Sequence, residues 1–171
     1  MLNSSNDTGG FRINSPNLER IIMNQATENY LYKLQKVKKY LAEKGYTNWV
    51  VVGSGAVFMT GLLNRIPHDV DMYIIGEDVY DTFYADKRKK WSAEFNVDGI
   101  LVHVYLAPNF DFMNIMEING IKFGMNITRT FQIKAAWGRD KDINDINHAI
   151  SVLEDIKINT PPIIKDTPIE Q

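Results

Sequence analysis

The chain contains no cysteine, which excludes disulfides, thiolate nucleophiles and cysteine-based zinc sites and agrees with a reducing cytosol. It also has no apolar run near the roughly 20 residues needed to cross a bilayer, so no membrane partner is expected. The opening MLNSSNDTGGFRINS offers neither a basic n-region nor an apolar h-region, and is not read as a signal peptide; a cytoplasmic location is the expectation. Charge of one sign is lacking too. Nineteen Lys and Arg against 21 Asp and Glu leave a net −2, too little for a global field that would draw the molecule onto nucleic acid. No internal repeat is visible. What is present is ordinary globular material: 171 residues, 44% hydrophobic and 23% charged, enough for one domain with a real core.

Periodicity and punctuation divide the chain. Residues 1–14 are polar and rich in Gly, Asn and Ser, and read as a loose arm. Ser15-Pro16 is a helix start, with serine as N-cap and proline where its missing N–H costs nothing. Ile21, Ile22, Tyr30, Leu31, Leu34, Val37 and Leu41 then recur at helical spacing up to Lys44, where Gly45 is a natural stop. Whether this is one helix or two, broken near Gln25 to Glu28, is left open. Trp49 to Val52 reads as a buried strand, Gly55 to Asn64 as a short helix, and Val70 to Ile75 as a second strand. Glu77 to Trp91 is expected to be helical. Phe95 to Val97 and Ile100 to Leu106 are strands joined through Asp98-Gly99, a strong hairpin signal; Ile115 to Ile118 and Ile121 to Phe123 are joined through Asn119-Gly120. Helices at about Thr128–Trp137 and Lys141–Ile156 close the domain at 157, the second with Ile143, Ile146, Ile150 and Leu153 on one apolar face. The prolines at 161, 162 and 168 leave 158–171 as an extended tail. The fold class is therefore α/β (α+β), a small mixed sheet flanked by helices.

The chemistry concentrates between residues 51 and 72. The strand Val51-Val52 runs into Gly53-Ser54-Gly55-Ala56, and fourteen residues separate Ser54 from Asp69. Positions i and i+2 of a strand point to the same side, so Asp69 and Asp71 converge on one spot. Two convergent carboxylates make a hard oxygen site suited to Mg²⁺ or Mn²⁺ that keeps water or phosphate ligands. The Gly53-Ser54 turn offers backbone N–H groups and a hydroxyl to a phosphate. Phosphoryl transfer needs a metal site and a phosphate cradle together.

On these residues the chain resembles the nucleotidyltransferases of the DNA polymerase β superfamily, which carry Gly-Ser or Gly-Gly after a first strand, a short helix, and Asp-hydrophobic-Asp on the next strand. Gly53-Ser54 and Asp69-Val70-Asp71 match, with a slightly long gap. Arg65 looks like the arginine common in the minimal bacterial branch. Lys134, then Gly138-Arg139-Asp140-Lys141-Asp142 and Asp145, resemble that branch's "K…R.KD..D" signature. The branch includes antibiotic nucleotidyltransferases and abortive-infection toxins. The resemblance spans residues 48–150 and implies transfer of a nucleoside monophosphate from an NTP to a hydroxyl or phosphate acceptor. Asp69 and Asp71 would hold the metal, and Gly53, Ser54, Arg65, Lys134 and Arg139 the nucleotide. One departure stands out. The family has a third carboxylate on a later strand, where this chain has Ile100-Leu101-Val102-His103-Val104-Tyr105. His103 is then a candidate base or weak ligand, although imidazole suits softer metals than Mg²⁺.

Other readings compete. Gly53-x-Gly55 after a strand is a dinucleotide signal, but Phe58 stands where a third glycine belongs; no Gly-Lys-Ser/Thr follows, so a P-loop is excluded. His103 is equally a satisfied histidine on a half-buried strand. His68 reads as a loop residue, and with His148 on a distant helix a three-histidine zinc site is not expected. Lys33, Lys36, Lys38, Lys39 and Lys44 form the wet face of a helix. Lys87, Arg88, Lys89 and Lys90 are four consecutive positive charges that would attract nucleic acid or another polyanion. Lys134 and Arg139 either neutralise triphosphate or pair with Asp140, Asp142 and Asp145. At the level of function, the rival is a catalytically degenerate domain that binds a protein or nucleic acid. A third version is a toxin acting on tRNA or protein, restrained by a regulatory partner; a homodimer completing the acceptor pocket is a further expectation.

Overall fold

The computed structural model describes residues 15–76, 78, 79, 82 and 92–159. The expected arm at 1–14, the basic run at 87–90 and the tail from 160 onward lie outside the described residues, as does most of the helix expected from Glu77 to Trp91. Helix α1 runs unbroken over Ser15–Glu43. It stops where Gly45 takes φ +86° and the Tyr46 N–H returns to the Leu41 carbonyl at 2.9 Å, a closure that only glycine adopts without strain. Strand β1 (Trp49–Val52) follows, then α2 (Gly53–Met59), β2 (Asp69–Ile74), β3 (Ser92–Val97) and β4 (Ile100–Leu106). Strands β5 (Ile115–Ile118) and β6 (Ile121–Gly124) precede α3 (Ile127–Trp137) and α4 (Asp140–Asn159).

The six strands form one mixed sheet in the order β3-β4-β2-β1-β6-β5. β1 is antiparallel to β2 and parallel to β6, and β2 is parallel to β4. The outer pairs, β3–β4 and β5–β6, are hairpins. Both hairpin turns have the positive φ at two successive residues that their Asx-Gly pairs anticipate: Asp98 49° and Gly99 83°, Asn119 50° and Gly120 75°. Strand β2 alternates, with Val70, Met72 and Ile74 buried and Asp69, Asp71 and Tyr73 half-buried on the other face. The buried face meets Tyr30, Leu34, Val37 and Leu41 of α1 and Phe58 of α2 in one core.

Two elements depart from expectation. Helix α2 begins at Gly53 itself and ends at Met59, because Gly61 at φ +81° turns the chain. Helix α4 turns most of its expected apolar face outward, leaving Ile146 half-buried. Ile143, Ile150 and Leu153 are 46%, 47% and 54% exposed, while Asp142 and Asp145 are 0% and 1% exposed. The inward stripe is Asp142, Asp145 and Ala149, at the i, i+3, i+7 spacing of one helix face. Ion pairing, described below, outweighs the burial of three aliphatic side chains.

Candidate metal centre

The sheet register lines up a row of side chains. Val52 at the end of β1 pairs with Asp71, Asp71 pairs with His103 of β4, and His103 pairs with Glu94 of β3. One step along β2, Asp69 points to the same side as Asp71. Asp69, Asp71 and His103 each bring a ligand atom to within 4.8 Å of the others, a spacing that modest side-chain adjustment closes around one divalent cation. Among the described residues it is the one group of this kind. Two carboxylates and an imidazole with open positions fit such a cation chemically.

Local geometry keeps the carboxylates exposed to a ligand. Gly53 turns the chain out of β1 at φ +64°, and a Cβ there would stand 3.1 Å from Asp71 Oδ2. Glycine therefore leaves the Asp71 carboxylate its room. Asp71 Oδ1 lies 3.3 Å from His103 Nδ1, and Glu94 Oε1 lies 3.6 Å from His103 Nε2. The hydrogen bond to Asp71 raises the His103 pKa above its ordinary value; burial opposes this, and the charges of Asp71, Asp69 and Glu94 add to it. Burial, with the neighbouring Asp71, also pushes the Tyr105 phenol up to about 12, so it is a neutral donor at physiological pH.

Beside the carboxylates a cleft of about 280 Å³ opens between the sheet and α3. Gly53, Ser54 and Asp71 line one end. Tyr73 and Tyr105 form the sheet wall, and Arg129, Ile133, Lys134 and Trp137 the helical wall. The aromatic wall escaped the sequence reading, since Tyr73 and Tyr105 are ordinary strand residues until β2 and β4 are placed side by side. Glu94 was missed as well, although the signal existed: a two-residue Asp98-Gly99 turn pairs 97 with 100 and, counting outward, 94 with 103.

Arg65, Lys134 and Arg139 meet in one network around the buried Asp142 and Asp145. Lys134 Nζ donates to Ser54 Oγ and to Asp145 Oδ2, both at 2.9 Å, and lies 3.8 Å from Asp142 Oδ1. Arg65 grips Asp145 through two bonds of 2.8 and 2.6 Å. Arg139 grips Asp142 through Nε at 2.6 Å and Nη2 at 3.2 Å, and its guanidinium lies 4.5 Å from the Trp137 ring centre. Burial pushes the Asp145 carboxyl up, but hydrogen bonds from Arg65 and Lys134 more than reverse that and leave it below the ordinary range. Hydrogen bonding from Arg139 holds Asp142 low against burial. Of the expected nucleotide-binding residues, Gly53, Ser54 and Lys134 line the cleft, whereas Arg65 and Arg139 are engaged with carboxylates of α4.

No family model matches the chain, and no curated protein matches it either. No helix among the described residues is long and apolar enough to cross a membrane.

Proposed function

We propose that the protein is a metal-dependent nucleotidyltransferase, moving a nucleoside monophosphate from an NTP to a hydroxyl or phosphate acceptor. One observation carries this reading: two carboxylates on one face of β2 stand beside a Gly-Ser turn whose hydroxyl accepts a hydrogen bond from Lys134 at 2.9 Å, at the mouth of a cleft large enough for part of a nucleotide. Asp69 and Asp71 would hold Mg²⁺ or Mn²⁺, which when bound supplies charge neutralisation for triphosphate oxygens. Ser54 and the Gly53 backbone would orient the outer phosphates, with the Lys134 ammonium as the adjacent positive charge. Tyr73, Tyr105 and Trp137 offer flat apolar surface for a base or an aromatic acceptor. Calorimetric titration of the four NTPs, with and without Mg²⁺, into wild type and Asp71→Asn tests the reading. Metal-dependent binding that the substitution abolishes is expected; binding unchanged in Asp71→Asn would sink it.

A second reading is favoured by the engagement of Arg65 and Arg139 with Asp145 and Asp142 and by His103 in place of a carboxylate. On that reading the domain has kept the scaffold and binds a protein or nucleic acid. A well-folded sample that binds no NTP at any metal concentration would select it.

A further inference from the structure

In the row Asp71, His103, Glu94 a protonated imidazole donates to both carboxylates, whereas the neutral imidazole that can ligate a cation cannot. The imidazole lies between two carboxylate oxygens, 3.3 Å from Nδ1 and 3.6 Å from Nε2, and among the described residues the buried Nε2 has no partner at hydrogen-bond distance. A neutral imidazole has one N–H and one lone pair. It can donate to one carboxylate only, and it presents its lone pair to the other. If the hydrogen is on Nδ1, the Nε2 lone pair faces Glu94. If it is on Nε2, the Nδ1 lone pair faces Asp71, on the side where Asp69 and Asp71 already converge.

A cation at that convergence resolves the second arrangement completely. The Nδ1 lone pair then serves the cation alongside the two carboxylates, and Nε2–H turns to Glu94, closing a few tenths of an ångström. Metal-bound histidines regularly pass their other N–H to a carboxylate, which fixes the tautomer and raises the basicity of the ligating nitrogen. The geometry points to a mixed nitrogen–oxygen centre: His103 ligates through Nδ1 beside Asp69 and Asp71, Glu94 is the positioning residue that holds Nε2–H, and the site selects a first-row transition cation, Mn²⁺ foremost, over Mg²⁺. The inference rests on the reading that Asp69 and Asp71 hold a divalent cation, and it goes beyond it in assigning the nitrogen ligand, the role of Glu94 and the selectivity.

The selectivity follows from donor chemistry. Mg²⁺ demands an octahedral oxygen shell and gives up water reluctantly, so an imidazole in the place of a third carboxylate is a loss for it. For transition cations the same nitrogen is a gain, and affinity for nitrogen donors rises along the series that starts at Mn²⁺. Mn²⁺ is also hard enough to keep carboxylate and phosphate oxygens. With only one imidazole and no thiolate in the group, the centre lacks the nitrogen- and sulfur-rich set that typifies structural zinc.

The experiment is Mn²⁺ titration of the full chain followed by electron paramagnetic resonance, with pulsed detection of nitrogen-14 coupling and competition by Mg²⁺. Bound Mn²⁺ should show imidazole nitrogen coupling that disappears in His103→Asn, which also excludes His68 and His148 as its source. Mg²⁺ should need an excess of about tenfold or more to displace half of it. Glu94→Ala should weaken Mn²⁺ binding about tenfold, and Glu94→Gln, which keeps an acceptor oxygen, should recover most of the loss. Bound Mn²⁺ without nitrogen coupling, displacement by an equal concentration of Mg²⁺, or no binding of Mn²⁺ at millimolar levels each overturns the inference. Because the spectroscopic result comes from wild type, a variant that fails to fold does not decide it. Metal-dependent NTP binding without nitrogen coupling would leave the transferase reading standing and remove this one; nitrogen-coupled Mn²⁺ with no NTP binding would do the reverse.

Discussion

Tyr30 shows how closely the floor of the site is packed. Its side chain is 1% exposed, and its hydroxyl has no hydrogen-bond partner among the described residues. Burial raises its pKa, and the charges of Asp71 and Asp69 push it further the same way. The hydroxyl lies against Gly55, where an added Cβ would collide with it and would also stand 2.9 Å from Val51 Cγ1. A buried hydroxyl without a partner contributes little and costs its desolvation. Tyr30→Phe should therefore be neutral or stabilising by up to about 1 kcal/mol, read from the denaturant midpoint. Gly55→Ala should cost about 1–3 kcal/mol through overpacking. In the double variant the two effects should not add: removal of the hydroxyl relieves part of the clash and leaves the Val51 contact. Strict additivity would mean that the tyrosine moves aside in Gly55→Ala without cost.

Helix α4 is where sequence pattern and structure part company. Ile143, Ile150 and Leu153 promised an inward apolar face, yet the helix turns Asp142 and Asp145 inward, because Arg65, Lys134 and Arg139 arrive from three other places in the chain to meet them. Helical periodicity found the helix; its orientation depended on ion pairs, of which those from Lys134 and Arg139 were one of the two options the sequence offered, while that from Arg65, 80 residues from Asp145, has no local signal. Removing one member of such a buried network leaves the others uncompensated. Asp145→Ala should lower stability by about 3–5 kcal/mol, whereas Ile150→Ser, on the exposed side, should change it by less than about 0.5 kcal/mol. The reverse ranking would show that the aliphatic face, and not the ionic one, holds the helix.

The same network sets an acid limit. Asp142 and Asp145 both have pKa values lowered by folding, so the unfolded chain binds protons at higher pH than the native one. Their contribution is complete above the ordinary carboxylate range and is lost as pH falls through the folded values. Stability should begin to drop below about pH 4, with a shallower slope in Asp142→Asn, as equilibrium unfolding at a series of pH values would show.

At the scale of the whole molecule, the site unites β1, β2, β3 and β4 with a cleft wall from α3, and a bound cation would tie the sheet strands together. A ligand that binds only the native state stabilises it by mass action. Mn²⁺ at about 100 times its dissociation constant should add about 2.7 kcal/mol, or roughly 5–10 °C in Tm for a chain of this size, and the gain should vanish in Asp71→Asn. No shift in wild type would count against a preformed centre. Much of this architecture was legible from local signals. The hairpins were announced by Asp98-Gly99 and Asn119-Gly120, the convergence of Asp69 and Asp71 by strand alternation, and the mixed sheet with flanking helices by the succession of elements. Strand order was not, because β1 lies between β2 and β6 through a long-range parallel pairing with Phe123. The wall of Tyr73 and Tyr105 follows from the parallel pairing of β2 with β4 and so stayed hidden with it, whereas the alignment of Glu94 with His103 is set by the hairpin turn itself.

The buried Lys134 sets a limit on hospitality at the turn. An ammonium has three hydrogens; two go to Ser54 and Asp145, and Asp142 at 3.8 Å waits for the third. An anion that settles on Ser54 can recruit the Lys134 ammonium only by drawing a donor away from α4. Occupancy of the cleft and the docking of the last helix thus compete for the same proton-bearing nitrogen. Amide exchange over residues 142–149 should quicken when triphosphate binds, as α4 gives up part of its anchor.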